Sequence, residues 1–375
     1  MKRGSNVFWE AVATLIGTII GAGIFGIPYV VAKAGFLVGF INLVILGLVI
    51  LMINLYLGEI CLRTKEVHQL AGLAELYLGK IGKTVMAFSS FFGIVGALIA
   101  YLIGEGEVLS AIFGGNPFFF SILFFVIASI LIYFDLSAIK KAEFYLSFFM
   151  VLLIVVIIVI SLTKINIDNL MNFDLSKLFL PYGVILFAFI GAAAIPEMEI
   201  ELKQNKKLLK KAIIIGSLIP FFIYLLFTIA VVGATGIHTT EIATIGLGNL
   251  FGRYMVLFGN LFPVFSMSTS FLILGLALKW MLHYDYKINK TAAWLLTCSI
   301  PLIAFLAGAR SFINVIGITG AIAGGIEGIL IVLITKKAKE KGKIKPEYDI
   351  PLRWVFAIIL ILLFVAGMIY QFVKF

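Results

Sequence analysis

The sequence has little charge and few of the side chains that build disulfides or metal centres. Charged residues make up 13% of the 375 positions, and there are only two cysteines and three histidines. Cys61 and Cys298 each lie inside an apolar run, so they predict neither a disulfide framework nor a zinc site. The histidines are scattered, and no nucleophile, base and orienting group cluster along the chain. We therefore expect no enzyme.

Hydrophobic residues are abundant, at 62% of the chain with a mean hydropathy of +1.15. Apolar runs follow one another with short polar connections, and each reaches the roughly 20 residues that cross a bilayer core. The runs lack the period-2 alternation of an outer-membrane barrel, so they predict helices and an all-α integral membrane protein. The eleven predicted transmembrane helices cover residues 7–32, 36–61, 83–113, 117–136, 142–162, 178–202, 208–236, 250–283, 291–307, 311–335 and 352–373.

The N-terminal run also resembles a secretory signal, because Met1-Lys2-Arg3 precedes it and Ala32-Lys33-Ala34 resembles a cleavage site. The run is too long for a signal peptide, Glu10 interrupts it, and another apolar segment follows at once. We therefore interpret it as the first span.

The basic residues predict the orientation of the spans. With the N-terminus in the cytoplasm, 23 of the 29 lysines and arginines lie on the cytoplasmic side. An odd number of spans then places the C-terminus outside the cell membrane. The net charge of +10 is explained by this topology and by attraction to anionic lipid, so no nucleic-acid partner is expected.

Two apolar runs are interrupted by small residues, "GTIIGAGIFGIP" from position 17 and "FIGAAAIP" from position 189. Gly191 lies 170 residues after Gly21, and the same offset carries spans two to five onto spans seven to ten. Because each half holds five spans, the halves must be inverted, as in many secondary transporters. The sequence predicts one transporter domain, with repeat one at about 7–162, repeat two at about 178–335 and an extra helix at about 352–373.

In such repeats, the first helix of each half is broken at the membrane midplane, and the break binds substrate. Amide groups that open the outer half of helix one suit a carboxylate, and open carbonyls that end the outer half of helix six suit an ammonium group. A free amino acid carries both groups. The competing interpretation is close helix packing, whereas a nucleotide loop is excluded because no strand precedes the glycines. The substrate-site candidates at the breaks are Gly21, Ala22, Gly23, Ile24, Phe25, Phe189, Ile190, Gly191 and Ala192.

Four segments resemble a known family: "GTIIGAGIFGIPYVVAKAGF", "NLYLGEICLRT", "IAYLIGEGEVLS" and "STSFLILGLALKWMLHYDYK". They look like amino acid permeases of the amino acid-polyamine-organocation superfamily, nearest the amino acid/auxin permease and tryptophan/tyrosine permease branches. The resemblance implies the five-plus-five inverted-repeat fold of the bacterial leucine transporter and transport by alternating access. It also implies that Tyr101 covers the substrate.

Span eight carries Ser266, Thr269 and Ser270 on one helical face. In sodium-coupled members of this fold, a site between helices one and eight uses three carbonyls and two hydroxyls. The resemblance implies a sodium site built from the carbonyls of Gly17, Ile20 and Ser266 and the side chains of Thr269 and Ser270, a set of hard oxygen ligands. The alternative is that these hydroxyls bond back to the preceding turn.

Proton coupling is the rival to sodium. Some relatives carry a lysine in helix five, where Met150 stands here, and Thr18 and Ile24 replace asparagines that would support a second sodium site. These differences favour a single sodium ion. Glu105 and Glu197 are the carboxylates proposed for proton coupling, since intramembrane carboxylates are functional by default.

The sequence thus predicts cation-coupled import of a neutral amino acid, with aromatic and branched side chains favoured. An amino acid exchanger or a membrane sensor with a permease fold are the alternatives. The predicted partners are the lipid bilayer, an amino acid substrate and a coupling ion, Na⁺ or H⁺, with no other cofactor. A monomer is sufficient for this mechanism. Glu10, Glu59 and Arg63 lie near the cytoplasmic face, where they form inner-gate pairs or are simply solvated.

Overall fold

The computed structural model describes residues 2–135, 151–342 and 344–374. Regular secondary structure in these ranges is helical, as predicted, and Cys61 and Cys298 are buried free thiols. The helices are α1 (Lys2–Ile19), α2 (Gly23–Ala34), α3 (Phe36–Arg63), α4 (Leu70–Phe113), α5 (Pro117–Tyr133), α6 (Val151–Leu162), α7 (Tyr182–Phe189), α8 (Ala194–Glu201), α9 (Leu209–Thr235), α10 (Ala243–Phe251), α11 (Arg253–Trp280), α12 (Lys290–Leu306), α13 (Phe312–Thr319), α14 (Gly325–Lys341) and α15 (Trp354–Lys374).

Seven helices or helix pairs of the described ranges are long and apolar enough to cross a membrane. An eighth span consists of Val7–Ile19 and Gly23–Ala34, which are bent by 54° at their junction. Three shorter apolar helices, α5, α6 and α12, complete a set that is compatible with the eleven predicted spans. The predicted Met150 position lies outside the described residues.

Two spans are broken at the predicted places. The first helix stops at Ile19 and resumes at Gly23, and the sixth span stops at Phe189 and resumes at Ala194. Small residues occupy both interruptions, where glycine accepts unwound backbone at little steric cost. These two breaks, break one at residues 20–22 and break six at residues 190–193, organise the site described below.

Matching elements also precede the third and eighth spans. Within α4, Gly79 has a φ of 76° and separates a short helical stretch from the long span. Gly252 has a φ of 86° and separates the short α10 from the long α11. Both glycines adopt left-handed backbone that a side chain would strain. The shared sequence of short helix, glycine and long span agrees with an internally repeated fold.

The C-terminal end of α5 is held by a buried lysine of α11. The ammonium of Lys279 donates to the carbonyls of Ile132 and Tyr133, at 2.8 and 3.0 Å, and to a carboxylate oxygen of Asp135 at 2.8 Å. A buried charge is tolerated when it is paired and hydrogen-bonded in this way. This contact fixes α5 against α11, the helix that carries the predicted hydroxyl cluster.

Candidate functional site

The two breaks meet at a buried tyrosine. The hydroxyl of Tyr224, on α9, donates to the carbonyl oxygen of Ile19 at 2.6 Å and lies 3.0 Å from that of Ala188. The amide of Gly21 also hydrogen-bonds with this hydroxyl. One side chain therefore satisfies backbone groups at the ends of α1 and α7, which would otherwise be unpaired in a membrane.

Sequence reasoning missed Tyr224. It stands in the apolar run "IPFFIYLLFTIA", where its hydroxyl is one of few polar groups. Because a buried hydroxyl in such a run needs a partner, this isolation was the available signal. Nothing in the local pattern identifies the partner, since Ile19 lies 205 residues away.

Break one presents amide groups at the start of α2. The amide of Phe25 makes the first helical bond, to the carbonyl of Ala22 at 3.1 Å. The amides of Ala22, Gly23 and Ile24 precede that bond and belong to the turn whose donors have no partner within the helix. They also lie at the positive end of the helix dipole, an arrangement that suits a carboxylate.

Break six presents carbonyl groups at the end of α7. In the last hydrogen bond of this helix, the amide of Ile190 donates to the carbonyl of Phe187 at 3.3 Å. The Tyr224 hydroxyl donates to the carbonyl of Ala188. The carbonyls of the next two residues, Phe189 and Ile190, lie at the negative end of the α7 helix dipole. Such carbonyls suit a cation or an ammonium group.

The two breaks are in close contact. A Cβ atom added to Gly23 would lie 2.5 Å from the Cα atom of Ala188, and one added to Gly191 would lie 2.6 Å from the side chain of Ile19. Neither glycine can carry a side chain without moving its neighbour. Close packing, the competing interpretation of the sequence, is therefore realised at these positions beside the polar backbone ends.

Gly21 is different, because a Cβ atom there would meet only the hydroxyl of Tyr101, at 3.9 Å. This hydroxyl is within hydrogen-bonding reach of Ser270 on α11. The structure thus brings Tyr101 and Ser270 together beside break one.

Aromatic rings close the α2 side of break one. Phe25 packs edge-to-face on Phe262, with ring centroids 4.6 Å apart, and both side chains are fully buried. Phe189 packs on the ring of Tyr224 at 5.2 Å. The buried Ile24 and Ala192 complete the predicted positions at the breaks.

The α1 side is open. Glu10, Gly17 and Thr18 are exposed, and the hydroxyl of Thr14 donates to a carboxylate oxygen of Glu201 at 2.9 Å. The residues on this face of α1 are small or polar, unlike those of a surface that faces lipid. The exposed positions continue along the helix towards Gly21, which is itself half-buried.

On α11, the Thr269 hydroxyl makes the local bonds that were the alternative to ion binding. The Thr269 hydroxyl lies 2.8 Å from the carbonyl of Phe265 and 3.2 Å from that of Ser266. A hydroxyl that donates in this way keeps lone pairs for a cation. In the described parts of the chain, His, Cys, Asp and Glu form no group suited to a metal ion, so the predicted site depends on neutral oxygens.

Glu105 lies one turn beyond Tyr101 on α4 and is fully buried. One of its carboxylate oxygens accepts a hydrogen bond from Ser268 at 2.6 Å, and the other has no partner among the described residues. Glu197 is exposed in the first turn of α8, where a negative charge complements the helix dipole. The structure therefore brings Glu105, and not Glu197, into contact with α11.

The three residues predicted at the inner gate lie at two separate places in the structure. Glu59 accepts hydrogen bonds from Arg63 at 2.8 Å and from Lys339 at 2.6 Å, and its second oxygen accepts from the amide of Ile350 at 2.9 Å. Asp349 also pairs with Lys339. We call these residues the charged clasp, which joins α3, α14 and the segment before α15. Glu10 lies apart from it on the open face of α1.

Two broken spans that meet at their breaks in an all-helical membrane protein are typical of the inverted-repeat folds of secondary transporters. The crystal structure of MhsT in complex with L-phenylalanine has this fold. It matches with a TM-score of 0.67 and 15% sequence identity, over 97% of this chain and 97% of that one. The predicted leucine-transporter-like fold is confirmed.

The model of the tryptophan/tyrosine permease family matches residues 4–371, and the chain belongs to this family. It is 27% identical over 345 residues to Glutamine transporter 2 of Aliivibrio fischeri, covering 87% of this chain and 89% of that protein. It is 26% identical over 351 residues to Tyrosine-specific transport system 1 of Haemophilus influenzae, covering 86% of each. The prediction of an amino acid permease is confirmed: the protein is a multi-pass transporter and not an enzyme.

Proposed function

We propose that this protein imports a neutral amino acid across the cytoplasmic membrane, driven by a cation gradient. The observation that carries the proposal is the junction of the two breaks at Tyr224. This junction holds amide groups of α2 and carbonyl groups of α7 at one place in the bundle. The α-carboxylate binds to the amides and the α-ammonium group to the carbonyls.

The side chains around the breaks favour a neutral and apolar substrate. Phe25, Tyr101 and Phe189 lie at the breaks, and aromatic rings bind apolar surface and stack with aromatic groups. The named relatives transport glutamine and tyrosine, and both are neutral amino acids.

Two cation sites compete in this proposal. Sodium would bind the carbonyls of Gly17, Ile20 and Ser266 together with the hydroxyls of Thr269 and Ser270. A proton would bind Glu105, whose charge is costly in a membrane interior unless it is neutralised. We favour sodium at the hydroxyl pair, because Ser270 of this pair lies within hydrogen-bonding reach of Tyr101 beside break one.

The orientation belongs to the same proposal. The N-terminus lies in the cytoplasm and the C-terminus outside, so the open face of α1 opens to the cytoplasm and the aromatic pair Phe25 and Phe262 closes the outer side. A monomer contains every element used.

The test is uptake of radiolabelled phenylalanine, tyrosine, tryptophan, leucine and glutamine into liposomes that contain the purified protein. Sodium and proton gradients are imposed separately, and protein-free liposomes are the control. Accumulation above equilibrium under either gradient supports the proposal, and the gradients that drive it identify the coupling ion or ions. Uptake only into liposomes preloaded with amino acid identifies an exchanger, and binding without uptake identifies a sensor; either result contradicts the proposal.

A further inference from the structure

A small cavity adjoins break six, on the side that α3 and α14 cover. Its lining includes Asn54 of α3, Gly191 and Ala192 of the break, and Glu327 of α14. Its volume is about 10 Å³, which is about the space of one water molecule. Neither Asn54 nor Glu327 was predicted from the sequence as part of a site.

Asn54 carries an unused acceptor at this cavity. Its side chain is 1% exposed, and its amide nitrogen lies 3.4 Å from the hydroxyl of Ser217. Its amide oxygen has no hydrogen-bond partner among the described residues. A buried polar atom of this kind is costly to leave unpaired, and the adjoining cavity has room for one water molecule or one hydroxyl group that would pair with it.

Glu327 is a partly buried carboxyl group without a counter-charge at the cavity. The other cavity-lining residues of the described chain are uncharged. On the packed elements, α15 contributes Phe364 and Met368. None of the charged groups described on the neighbouring helices lines the cavity: Glu59 lies in the charged clasp, Glu75 pairs with Lys83, Glu105 bonds with Ser268, Glu199 pairs with Lys206, and Glu197 is exposed.

Asn54 and Glu327, which line the same cavity, differ from an ordinary pair of hydrogen-bonding donor and acceptor. The amide oxygen of Asn54 and an ionised carboxylate are both acceptors only, whereas a protonated carboxyl group can donate. A proton on Glu327 therefore adds a hydrogen-bond donor to the cavity that Asn54 also lines, and it removes an unpaired charge from the membrane interior, where such a charge is costly.

The turn that precedes Glu327 packs directly on α7 and break six. The π-helical turn Gly320–Gly324 comes directly before α14, and such turns are frequent at functional sites. A Cβ atom on Gly324 would lie 3.3 Å from the side chain of Ile190, and one on Gly320 would lie 2.0 Å from the carbonyl oxygen of Gly183. The tenth span thus packs on α7 with almost no intervening side chain, so movement at break six alters the cavity.

We propose that Glu327 binds a proton during the transport cycle and releases it when break six rearranges. A proton from water forms an O–H bond with the Glu327 carboxylate, and the same bond breaks when the proton returns to water on the other side. This inference rests on the proposed amino acid transport and adds a proton site to it.

The test uses the full-length protein in liposomes and the amino acid of the panel that exchanges fastest. Two readouts are compared: exchange against the same amino acid inside, and uptake driven by an inward proton gradient with the membrane potential clamped. Glu327→Gln keeps the shape of the protonated side chain. We expect exchange within about twofold of wild type, no dependence of exchange on pH, and at least a tenfold loss of proton-driven uptake.

Glu340→Gln is the matched control, because Glu340 is an exposed carboxylate on the same helix, and it should keep both readouts. Asn54→Leu is the second variant. It removes the acceptor for the Glu327 proton at similar volume, so the midpoint of the pH profile of exchange should move towards acid.

Proton-driven uptake by Glu327→Gln at the wild-type level overturns the inference, as does wild-type transport that ignores pH and responds to sodium alone. If Glu327→Gln does not fold, an unshifted pH profile of Asn54→Leu overturns it instead. Failure of wild type to exchange any amino acid is a different result, because it contradicts the proposed transport itself.

Discussion

The hydroxyl of Tyr224 lies 2.6 Å from the carbonyl oxygen of Ile19, the last residue of α1. Through the same hydroxyl, the end of α1 is linked to Ala188 near the end of α7. One oxygen atom therefore links the two breaks, in addition to the close packing of Gly23 on Ala188 and of Gly191 on Ile19. Tyr224→Phe retains the ring and removes that atom.

We expect Tyr224→Phe to lower the maximal uptake rate about tenfold or more, which corresponds to about 1.4 kcal/mol. Leaving buried carbonyls unpaired costs about 1–3 kcal/mol, so the melting temperature should fall as well. Uptake kinetics and thermal unfolding in detergent measure the two effects. Tyr182→Phe is the control, because the buried Tyr182 hydroxyl has no partner in the described chain; equal behaviour of the two variants would contradict the assigned role.

Gly21 and Gly23 should respond differently to the same substitution. Gly23→Ala places a Cβ atom 2.5 Å from the backbone of Ala188, so it should lower both transport and thermal stability. Gly21→Ala meets only the Tyr101 hydroxyl, at 3.9 Å, and should leave thermal stability unchanged while raising the KM for the amino acid. Melting curves and initial uptake rates of both variants check this contrast. A similar loss of stability in both would reject the open space assigned to Gly21.

The hydroxyl pair on α11 should determine the response to sodium. The double variant Thr269→Ala with Ser270→Ala removes both proposed side-chain ligands, so sodium should no longer stimulate uptake. Ser268→Ala is the neighbouring control, since Ser268 bonds to Glu105 and should leave sodium stimulation intact. Sodium stimulation that persists in the double variant would refute the proposed site.

The charged clasp should depend on Glu59 far more than on Asp349. Glu59 is 1% exposed between Arg63 and Lys339, whereas Asp349 is 66% exposed. Removing the centre of a buried ion pair costs about 3–5 kcal/mol, and an exposed pair contributes about 0–1 kcal/mol. Thermal unfolding of Glu59→Leu should show a large loss of stability and that of Asp349→Asn a small one. The reverse order would contradict the described geometry.

The stability that Asp349 contributes to the charged clasp should also persist in mild acid. The hydrogen bond from Lys339 is the main cause that lowers the pKa of Asp349 below its usual 3.8. A carboxyl group with a depressed folded-state pKa contributes stability above its unfolded-state pKa and loses it as the pH falls through the folded-state value. Between pH 7 and pH 5, wild type and Asp349→Asn should therefore show a constant difference in melting temperature. A difference that disappears already at pH 5 would contradict the pairing.

The spans and breaks could be predicted because they depend on local patterns. Apolar length fixes a membrane helix, and glycine with a following proline marks its interruption, as at Gly21 and Gly191. The offset between these two glycines was enough to relate the two halves. The alternative uses of Thr269 remained open because ion binding and bonding to the preceding turn require the same hydroxyl.

The contacts around the breaks could not be predicted, because they join residues far apart in the chain. Tyr224 meets Ile19 across 205 residues, and Glu59 meets Lys339 across 280. Glu327 was not singled out from the sequence, and only the packing of α14 on α3 brings it to the cavity that Asn54 also lines. Such pairings depend on the three-dimensional course of the bundle.

The open face of α1 and the sealed pair of Phe25 and Phe262 have an electrical consequence. In the proposed orientation, water on the open face of α1 would carry cytoplasmic ions towards break one, so the low-dielectric barrier would lie around these two rings. Most of the membrane voltage then falls across that layer, worth about 2.3 kcal/mol per elementary charge per 100 mV. If a cation binds the proposed hydroxyl pair, its passage from the outer solution would cross most of that voltage, whereas its exchange with the cytoplasm would be almost electrically silent.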